Sequence, residues 1–124
     1  MNIQELEGLL IDSVHSSEQA EKFFQSHMDD KELLKQILQV VEESESGDAR
    51  MEGAYWLSQA QDDFLRDVEK RLLVLMDCEW DSVAVHIMMA LAKIQSQEAL
   101  DKIIEKRIRP NLYWEAMALE KYLK

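Results

Sequence analysis

Three histidines are the side chains of this sequence best suited to acid–base chemistry near neutral pH. His15 and His27 fall near predicted helix ends, where capping or solvation explains them. His86 lies on an apolar stretch among Val83, Ala90 and Lys93. We therefore interpret His86 as a core or edge histidine that is hydrogen-bonded to a polar neighbour, and not as a general base.

The single cysteine and the adjacent carboxylates do not form a nucleophilic site either. Cys78 stands between Asp77 and Glu79, and their negative charges disfavour the thiolate that a nucleophile requires. Asp62 and Asp63 are adjacent, so on a helix they point in different directions and cannot act as a catalytic pair. We interpret them as charges at a helix start, where carboxylates are favourable.

Sequence signatures of common enzymes and metal sites are missing. The sequence contains no HExxH, CxxC, GxSxG, Walker or GxGxxG motif. The turn Glu43-Ser44-Glu45-Ser46-Gly47 suggests calcium, but its glycine is at the fifth position and no glutamate closes a twelve-residue loop. We predict a protein that is not an enzyme, with no catalytic residue, no metal site and no cofactor.

Composition limits the partners of this chain. Its 124 residues predict one domain over 1–124, with a net charge of −11. Nucleic acid and anionic membranes are disfavoured, because their binding depends on clustered lysine and arginine. A basic protein partner is favoured, since opposite fields accelerate encounter. The alternative is that the acidity only maintains solubility.

Cysteine usage and hydropathy indicate the compartment. One cysteine cannot form an internal disulfide, which favours a reducing environment. The N-terminal stretch MNIQELEGLLIDS carries acids and no basic segment, so it predicts no signal peptide. No apolar run approaches the roughly 20 residues that span a bilayer. We expect a cytoplasmic protein.

The elements that position these residues are predicted to be helices. Only 3 glycines and 1 proline are present, which favours helices joined by short polar turns. Apolar spacing from residue 64 to 76, and a stretch from 83 to 94 that is apolar on nearly every side, predict a buried antiparallel pair around a turn at 77–81. We expect about eight helices, with Ser16, Asp29, Asp48, Asp81 and Ser96 as start signals.

Helix-start signals recur along the chain. Asp29 and Asp62 are 33 residues apart, and so are Asp48 and Asp81. This spacing predicts helix pairs over 30–61, 63–94 and 97–124, preceded by a less regular pair over 1–28. Each pair has an amphipathic helix followed by one rich in alanine and large apolar residues. Stacked antiparallel hairpins bury a shared core in this way.

The second helices of these pairs resemble those of HEAT-like repeats, which often open with aspartate, an aliphatic residue, an arginine and alanines. Asp48, Ala49 and Arg50 follow that pattern, and the segment after Asp81 follows it without the arginine. The third pair lacks both the aspartate and the arginine. The resemblance implies an all-α, short right-handed solenoid over residues 30–124. An irregular helical bundle is the alternative.

Charge is distributed unevenly. Residues 42–81 hold twelve acids and four bases, whereas residues 100–124 hold six bases and four acids. If the pairs stack, the turns of the first two form one acidic ridge, which ends at Lys106, Arg107 and Arg109. Trp56, on a polar stripe, and Trp80, in an acidic turn, are predicted anchors; alternatively, both fold back onto neighbouring helices. The predicted partner-binding residues are Glu43, Glu45, Asp48, Glu52, Trp56, Asp77, Glu79, Trp80 and Asp81.

By size and charge the sequence is similar to bacterial immunity proteins, which bind and neutralise a cognate toxin. The resemblance implies a protein-binding module that occludes a basic toxin such as a nuclease. A scaffold or adaptor subunit, possibly self-associating, is the second hypothesis. A DNA-base glycosylase of HEAT-like fold is the third, but it requires a basic concave face that this acidic chain lacks. The sequence leaves the oligomeric state open.

Overall fold

The computed structural model describes residues 1–78, 80–106 and 118–122, and all regular structure in them is α-helical. The predicted all-α class is therefore confirmed. Residues 118–122 are also helical, whereas the predicted helix start at Pro110 lies outside the described residues. The helices are α1 (Ile3–Val14), α2 (Glu18–Ser26), α3 (Lys31–Glu43), α4 (Gly47–Ser58), α5 (Asp62–Asp67), α6 (Glu69–Leu75), α7 (Asp81–Lys93) and α8 (Gln97–Lys106).

Helix α4 lies at the centre of the described fold. It packs between α1 and α7, and α3 covers it from a third direction. Helices α5, α6 and α8 pack against α7, which accounts for the apolar character of α7 on nearly every side. Leu38, Leu57, Leu65 and Ile87, from four different helices, are fully buried in this shared core.

Helices α4 and α7 run side by side in the same direction. Near their starts, a Cβ on Gly47 would lie 3.2 Å from the Trp80 ring. Tyr55 and His86 meet midway, with ring centroids 5.7 Å apart. Near their ends, Lys93 Nζ donates to the carbonyl of residue 60 at 2.5 Å. The loops that precede α4 and α7 are therefore at the same end of the molecule.

Two predicted N-caps are displaced by one residue. Ser16 has φ 66°, in the left-handed region, and Ser17 caps α2 by accepting from the Ala20 amide at 3.3 Å. Asp30, not Asp29, accepts from the first amides of α3. In both places two adjacent residues have similar capping ability, so the local sequence does not distinguish them.

The predicted caps of the second helices are also wrong. Ser46 caps α4 through the Ala49 amide, so Asp48 lies inside the first turn of that helix. Trp80 is the N-cap residue of α7, and Asp81 again lies in the first turn. The cap positions of α4 and α7 therefore differ by 34 residues instead of the predicted 33.

The predicted helix through Met76 is divided into α5 and α6. At Val68 the backbone has φ −109° and ψ 14°, outside the helical region. Valine loses side-chain freedom in a helix, which makes it a favourable place for a break. Both halves still bury their apolar faces, because Phe64, Leu65 and Leu72 are at most 2% exposed.

A polar cluster attaches the helical residues 118–122 to the rest. Ser96 caps α8 as predicted, accepting from the Ala99 amide, and its hydroxyl donates to Glu69 at 2.5 Å. The Tyr122 hydroxyl donates to the Ser96 carbonyl at 3.0 Å. Burial, and secondarily the charge of Glu69, raises the pKa of Tyr122 to about 12, so this donor keeps its proton. Across the described ranges, no helix is both long and apolar enough to cross a membrane.

Candidate functional site

The loops before α4 and α7 lie beside each other, joined by Arg50. Its Nε donates to the Val41 carbonyl at 2.7 Å, which ties it to the end of α3. Its Nη2 donates to Cys78 Sγ at 3.5 Å, and its guanidinium lies 4.7 Å from the centre of the Trp80 ring. One cation from α4 thus connects the end of α3 with the loop that precedes α7.

Acidic side chains surround this junction. Five of them are exposed, and we call them the acidic turn surface: Glu43, Glu45, Asp48, Asp77 and Asp81. Asp77 pairs with Lys102 at 3.0 Å, and Glu43 accepts from Gln39 at 3.1 Å. The predicted Glu79 lies outside the described residues, as do Arg107 and Arg109. Carboxylates from the α3–α4 and α6–α7 connections, and from the helix ends that flank them, therefore share one face of the described molecule.

Trp56 is not part of that face, and its prediction as an exposed anchor is wrong. It is 4% exposed, its ring stacks on Phe24 with centroids 5.4 Å apart, and its Nε1 donates to Ser13 Oγ at 3.3 Å. Glu52, one turn earlier, accepts from the same Ser13 hydroxyl at 2.5 Å. Trp56 contacts α1 and α2, and Glu52 contacts α1, so neither residue is part of the candidate site.

Trp80 is half-buried and belongs to the junction. One face of its ring receives the guanidinium of Arg50, and the ring also packs over Gly47. A side chain at position 47 would meet the ring at 3.2 Å, so the glycine provides the space that Trp80 occupies. Trp80 therefore supports the acidic turn surface from beneath, with part of the ring accessible.

A groove begins at Asp81 and follows α7, with the end of α4 on one side. Its volume is about 760 Å³, within the size range of binding pockets. Val85, Met89 and Ala92 form an apolar floor, and Tyr55 of α4 forms part of one wall. The other lining residues are Ser58, Gln59, Asp81, Ser82, His86, Lys93, Gln95 and Lys121.

His86 stands in the wall of this groove. Burial lowers the pKa of its imidazole from the ordinary 6.5, so the ring is neutral at neutral pH. The Tyr55 and His86 rings form a T-shaped pair. The predicted edge histidine is consistent with this placement, although the contact that the structure provides is aromatic. His15 and His27 are C-cap residues of α1 and α2, as their predicted positions near helix ends require.

The sequence predicted the acidic loops but not the groove. The signal for the groove was a row of mixed residues on α7, because Ser82, Val85 and Met89 recur on one side of that helix with His86. The row is hard to distinguish in the sequence, because α7 is apolar on its other sides as well. In the sequence Arg50 belongs only to the HEAT-like pattern that begins at Asp48, whereas in the structure it forms the junction.

The side chains of the groove and of the acidic turn surface can bind by charge and shape. Among the residues that the structure describes, no three histidine, cysteine or acidic side chains are placed to hold a metal ion. A comparison with protein-family models found no match, and neither did comparisons with curated proteins and with solved structures.

Proposed function

We propose that this chain is a non-catalytic protein-binding module that neutralises a basic toxin domain such as a nuclease. The observation that carries the proposal is the acidic turn surface, in which exposed carboxylates of two loops and of the helix ends beside them lie around the Arg50 junction. A net charge of −11 adds a long-range field of the same sign.

The proposed mechanism is occlusion. A nuclease binds phosphates with a surface of lysines and arginines, and a set of carboxylates can cover that surface in place of the substrate. Charge complementarity of this kind mainly increases the association rate and the specificity of the encounter. Asp48, in the first turn of α4, and Asp77, in the loop before α7, would then contact different basic side chains of the partner.

The HEAT-like arrangement belongs to the same proposal. Support comes from the parallel packing of α4 and α7, the second helices of two successive pairs, and from α3 and α6 covering them. A cytoplasmic location is also proposed, since neutralising an incoming or endogenous nuclease requires the protein where the nucleic acid is. Trp56 is not part of the proposed binding surface, because it is buried in the core.

The test begins with the affinity-tagged protein and a lysate of its source organism at low and high salt, with bound proteins identified by mass spectrometry. We expect a basic partner that is released at high salt and whose nuclease activity is inhibited by the purified chain. Reversal of Glu43, Glu45 and Asp48 to lysine should then slow association at least tenfold and weaken its salt dependence.

A matched control carries the same change in net charge elsewhere. Asp12, Asp29 and Asp67 are exposed, and the last two lie near the Lys31–Asp63 ion pair, away from the acidic turn surface. Their reversal to lysine should retain most of the association rate. Equal slowing in both triple variants would reduce the proposal to a net-charge effect, and a partner indifferent to salt would contradict it.

A scaffold or adaptor subunit is the second candidate function. Val74 and Ile104 are apolar side chains that are 73% and 58% exposed, and contact with another subunit would remove them from water. A stable homo-oligomer that light scattering detects at both low and high salt would favour this function. A monomer at all concentrations tested would leave the toxin-binding proposal as the better one.

A further inference from the structure

A partly buried imidazole in the wall of the groove along α7 is available to a ligand. His86 contacts the Tyr55 ring there in a T-shaped pair. Within residues 1–78, 80–106 and 118–122, no donor or acceptor reaches either ring nitrogen of His86, and the Tyr55 hydroxyl is also without a partner. Buried polar groups in proteins are normally hydrogen-bonded, so these two side chains are suited to bind a molecule that enters the groove.

We propose that the groove is a binding site for a small, uncharged aromatic molecule that carries one group able both to donate and to accept a hydrogen bond, as a phenol does. His86 and Tyr55 recognise that group, and the apolar floor holds the aromatic body. The inference goes beyond the proposed function, because the ligand is a small molecule and its binding does not depend on the acidic turn surface.

Three other polar residues of the groove lining already bond within the protein. Ser58 Oγ donates to the Tyr55 carbonyl at 2.5 Å, and Gln59 Nε2 donates to Ser58 Oγ at 3.3 Å. Gln95 Nε2 donates to two backbone carbonyls, at 2.9 and 2.8 Å. A ligand can therefore bond to His86 and Tyr55 without breaking any of these internal hydrogen bonds.

The charges of the lining favour an uncharged ligand. Lys93 Nζ already donates to a backbone carbonyl at 2.5 Å and pairs with Asp62 at 3.9 Å, and Asp81 also interacts within the protein. Lys121 is exposed, and water weakens its field. Burial lowers the pKa of His86, so its neutral ring offers one N–H donor and one nitrogen acceptor. A charged group beside this ring would lose hydration without gaining an opposite charge.

The body of the ligand should be apolar and aromatic. Val85 and Ala92 are buried in the floor, and Met89 is partly exposed there. Tyr55 is 37% exposed in the wall. Aromatic rings pair edge to face with one another, and methionine sulfur makes favourable contacts with a ring. A volume of about 760 Å³ is in the range that holds a drug-sized molecule, so a body of two fused rings fits.

Three probes of similar shape test this class of ligand: β-naphthol, β-methylnaphthalene and β-naphthoate. The first donates and accepts a hydrogen bond, the second has a methyl group in place of the hydroxyl, and the third is an anion at neutral pH. Each is titrated into the full chain while methyl and amide chemical shifts are recorded. We expect β-naphthol to saturate with shifts centred on Val85, His86 and Met89, and β-naphthoate to bind at least tenfold more weakly.

The variant His86→Phe tests the recognition of the polar group, because it keeps a ring and removes both nitrogens. Relative to β-methylnaphthalene, the affinity for β-naphthol should fall about fivefold or more, which is the effect of one lost hydrogen bond. Comparing two probes largely cancels any change in the packing of the groove. The control His15→Phe makes the same substitution at the exposed C-cap of α1, across α4 from α7, and should leave both affinities within twofold.

A second variant keeps the inference testable if His86→Phe does not fold. Ser82 lines the groove from an exposed position in the first turn of α7, so Ser82→Trp fills the groove without altering the core. It should weaken the binding of β-naphthol at least tenfold and leave the circular dichroism spectrum of the protein unchanged.

The contrary results are distinguishable. Failure to saturate with β-naphthol, or shifts confined to another part of the molecule, would overturn the inference. An affinity ratio that His86→Phe leaves unchanged would overturn the recognition assigned to His86. Tighter binding of β-naphthoate would replace the proposed ligand with an anion, and a dimer that Ser82→Trp dissociates would assign the groove to a second copy of this chain. The nuclease test of the acidic turn surface is independent of all these outcomes.

Discussion

At the scale of single residues, Trp56 connects three helices. Its ring stacks on Phe24 of α2, and its indole N–H donates to Ser13 of α1, whose hydroxyl also reaches Glu52 of α4. Two members of a polar stripe in the sequence, Glu52 and Trp56, thus face α1, because the hydrogen-bond partner of their polar atoms lies on that helix. Buried polar groups of this kind are tolerated when they are hydrogen-bonded.

Substitution of Trp56 separates ring packing from the hydrogen bond. Trp56→Phe keeps an aromatic ring beside Phe24 and removes the donor to Ser13, so we expect a loss of about 1 to 2 kcal/mol in the free energy of unfolding. Trp56→Ala also leaves a cavity and should cost about 3 to 5 kcal/mol. Urea unfolding followed by circular dichroism measures both. Similar losses in the two variants would show that packing of the ring contributes little.

His86 should make stability depend on pH. Burial lowers its pKa in the folded state below 6.5, so the unfolded chain binds a proton that the folded chain does not. Above pH of about 6.5 the free energy of unfolding is not reduced by His86. It decreases as the pH falls from there toward the folded-state pKa of His86, because the unfolded chain then gains the proton first. Relative to His86→Gln, the wild type should lose free energy of unfolding between pH 7.5 and 5.5. A constant difference between the two proteins over that range would contradict this assignment.

At the scale of elements, two glycines provide a matched test of helix packing. A Cβ at Gly53 would lie 2.7 Å from Val41 Cγ2, so α3 and α4 must separate to accept it, whereas nothing lies within 4 Å of a Cβ at Gly8. Gly8→Ala in α1 should stabilise the protein by up to about 1 kcal/mol through helix propensity. Gly53→Ala should destabilise it by about 1 to 3 kcal/mol. Thermal unfolding of the two variants checks both signs, and stabilisation by Gly53→Ala would show that the two helices separate at little cost.

The elements themselves were largely predictable. Apolar spacing indicated α3, and the all-round apolar character of the segment after Asp81 indicated that α7 is buried. Helix boundaries were less predictable, because adjacent capable residues compete; Ser16 takes a left-handed φ and leaves the cap to Ser17. The exposure of Trp56 could not be predicted from α4 alone, since it depends on how α1 and α2 return across that helix.

The candidate site was predictable only where it depends on charge in sequence. The carboxylates before α4 and α7 are visible in the sequence, and the parallel packing of those helices brings the two loops together. The junction through Arg50 and Cys78 joins residues 28 positions apart, and the groove depends on the spaces between helices. Neither has a local signature, because each arises from tertiary packing.

At the scale of the whole molecule, like-charge repulsion opposes compactness. The net charge is −11, and exposed ion pairs such as Lys31–Asp63 at 3.0 Å each contribute only about 0 to 1 kcal/mol. The excess of carboxylates over lysines and arginines therefore determines the long-range field, and the exposed ion pairs change it little. At low ionic strength this field extends about 30 Å, which is comparable to the size of a small domain.

Salt should accordingly stabilise this protein. Raising NaCl from 10 to 150 mM shortens the screening length to about 8 Å, and we expect the melting temperature to rise by a few degrees. Each triple lysine variant described above has a net charge of −5, so its rise should be smaller. If the repulsion is concentrated where two loops bring carboxylates together, reversing Glu43, Glu45 and Asp48 should reduce the salt effect more than reversing Asp12, Asp29 and Asp67. Equal reductions would mean that charge repulsion at the acidic turn surface is no stronger than elsewhere in the molecule. An unchanged salt effect in both variants would mean that salt does not stabilise the protein by screening its net charge.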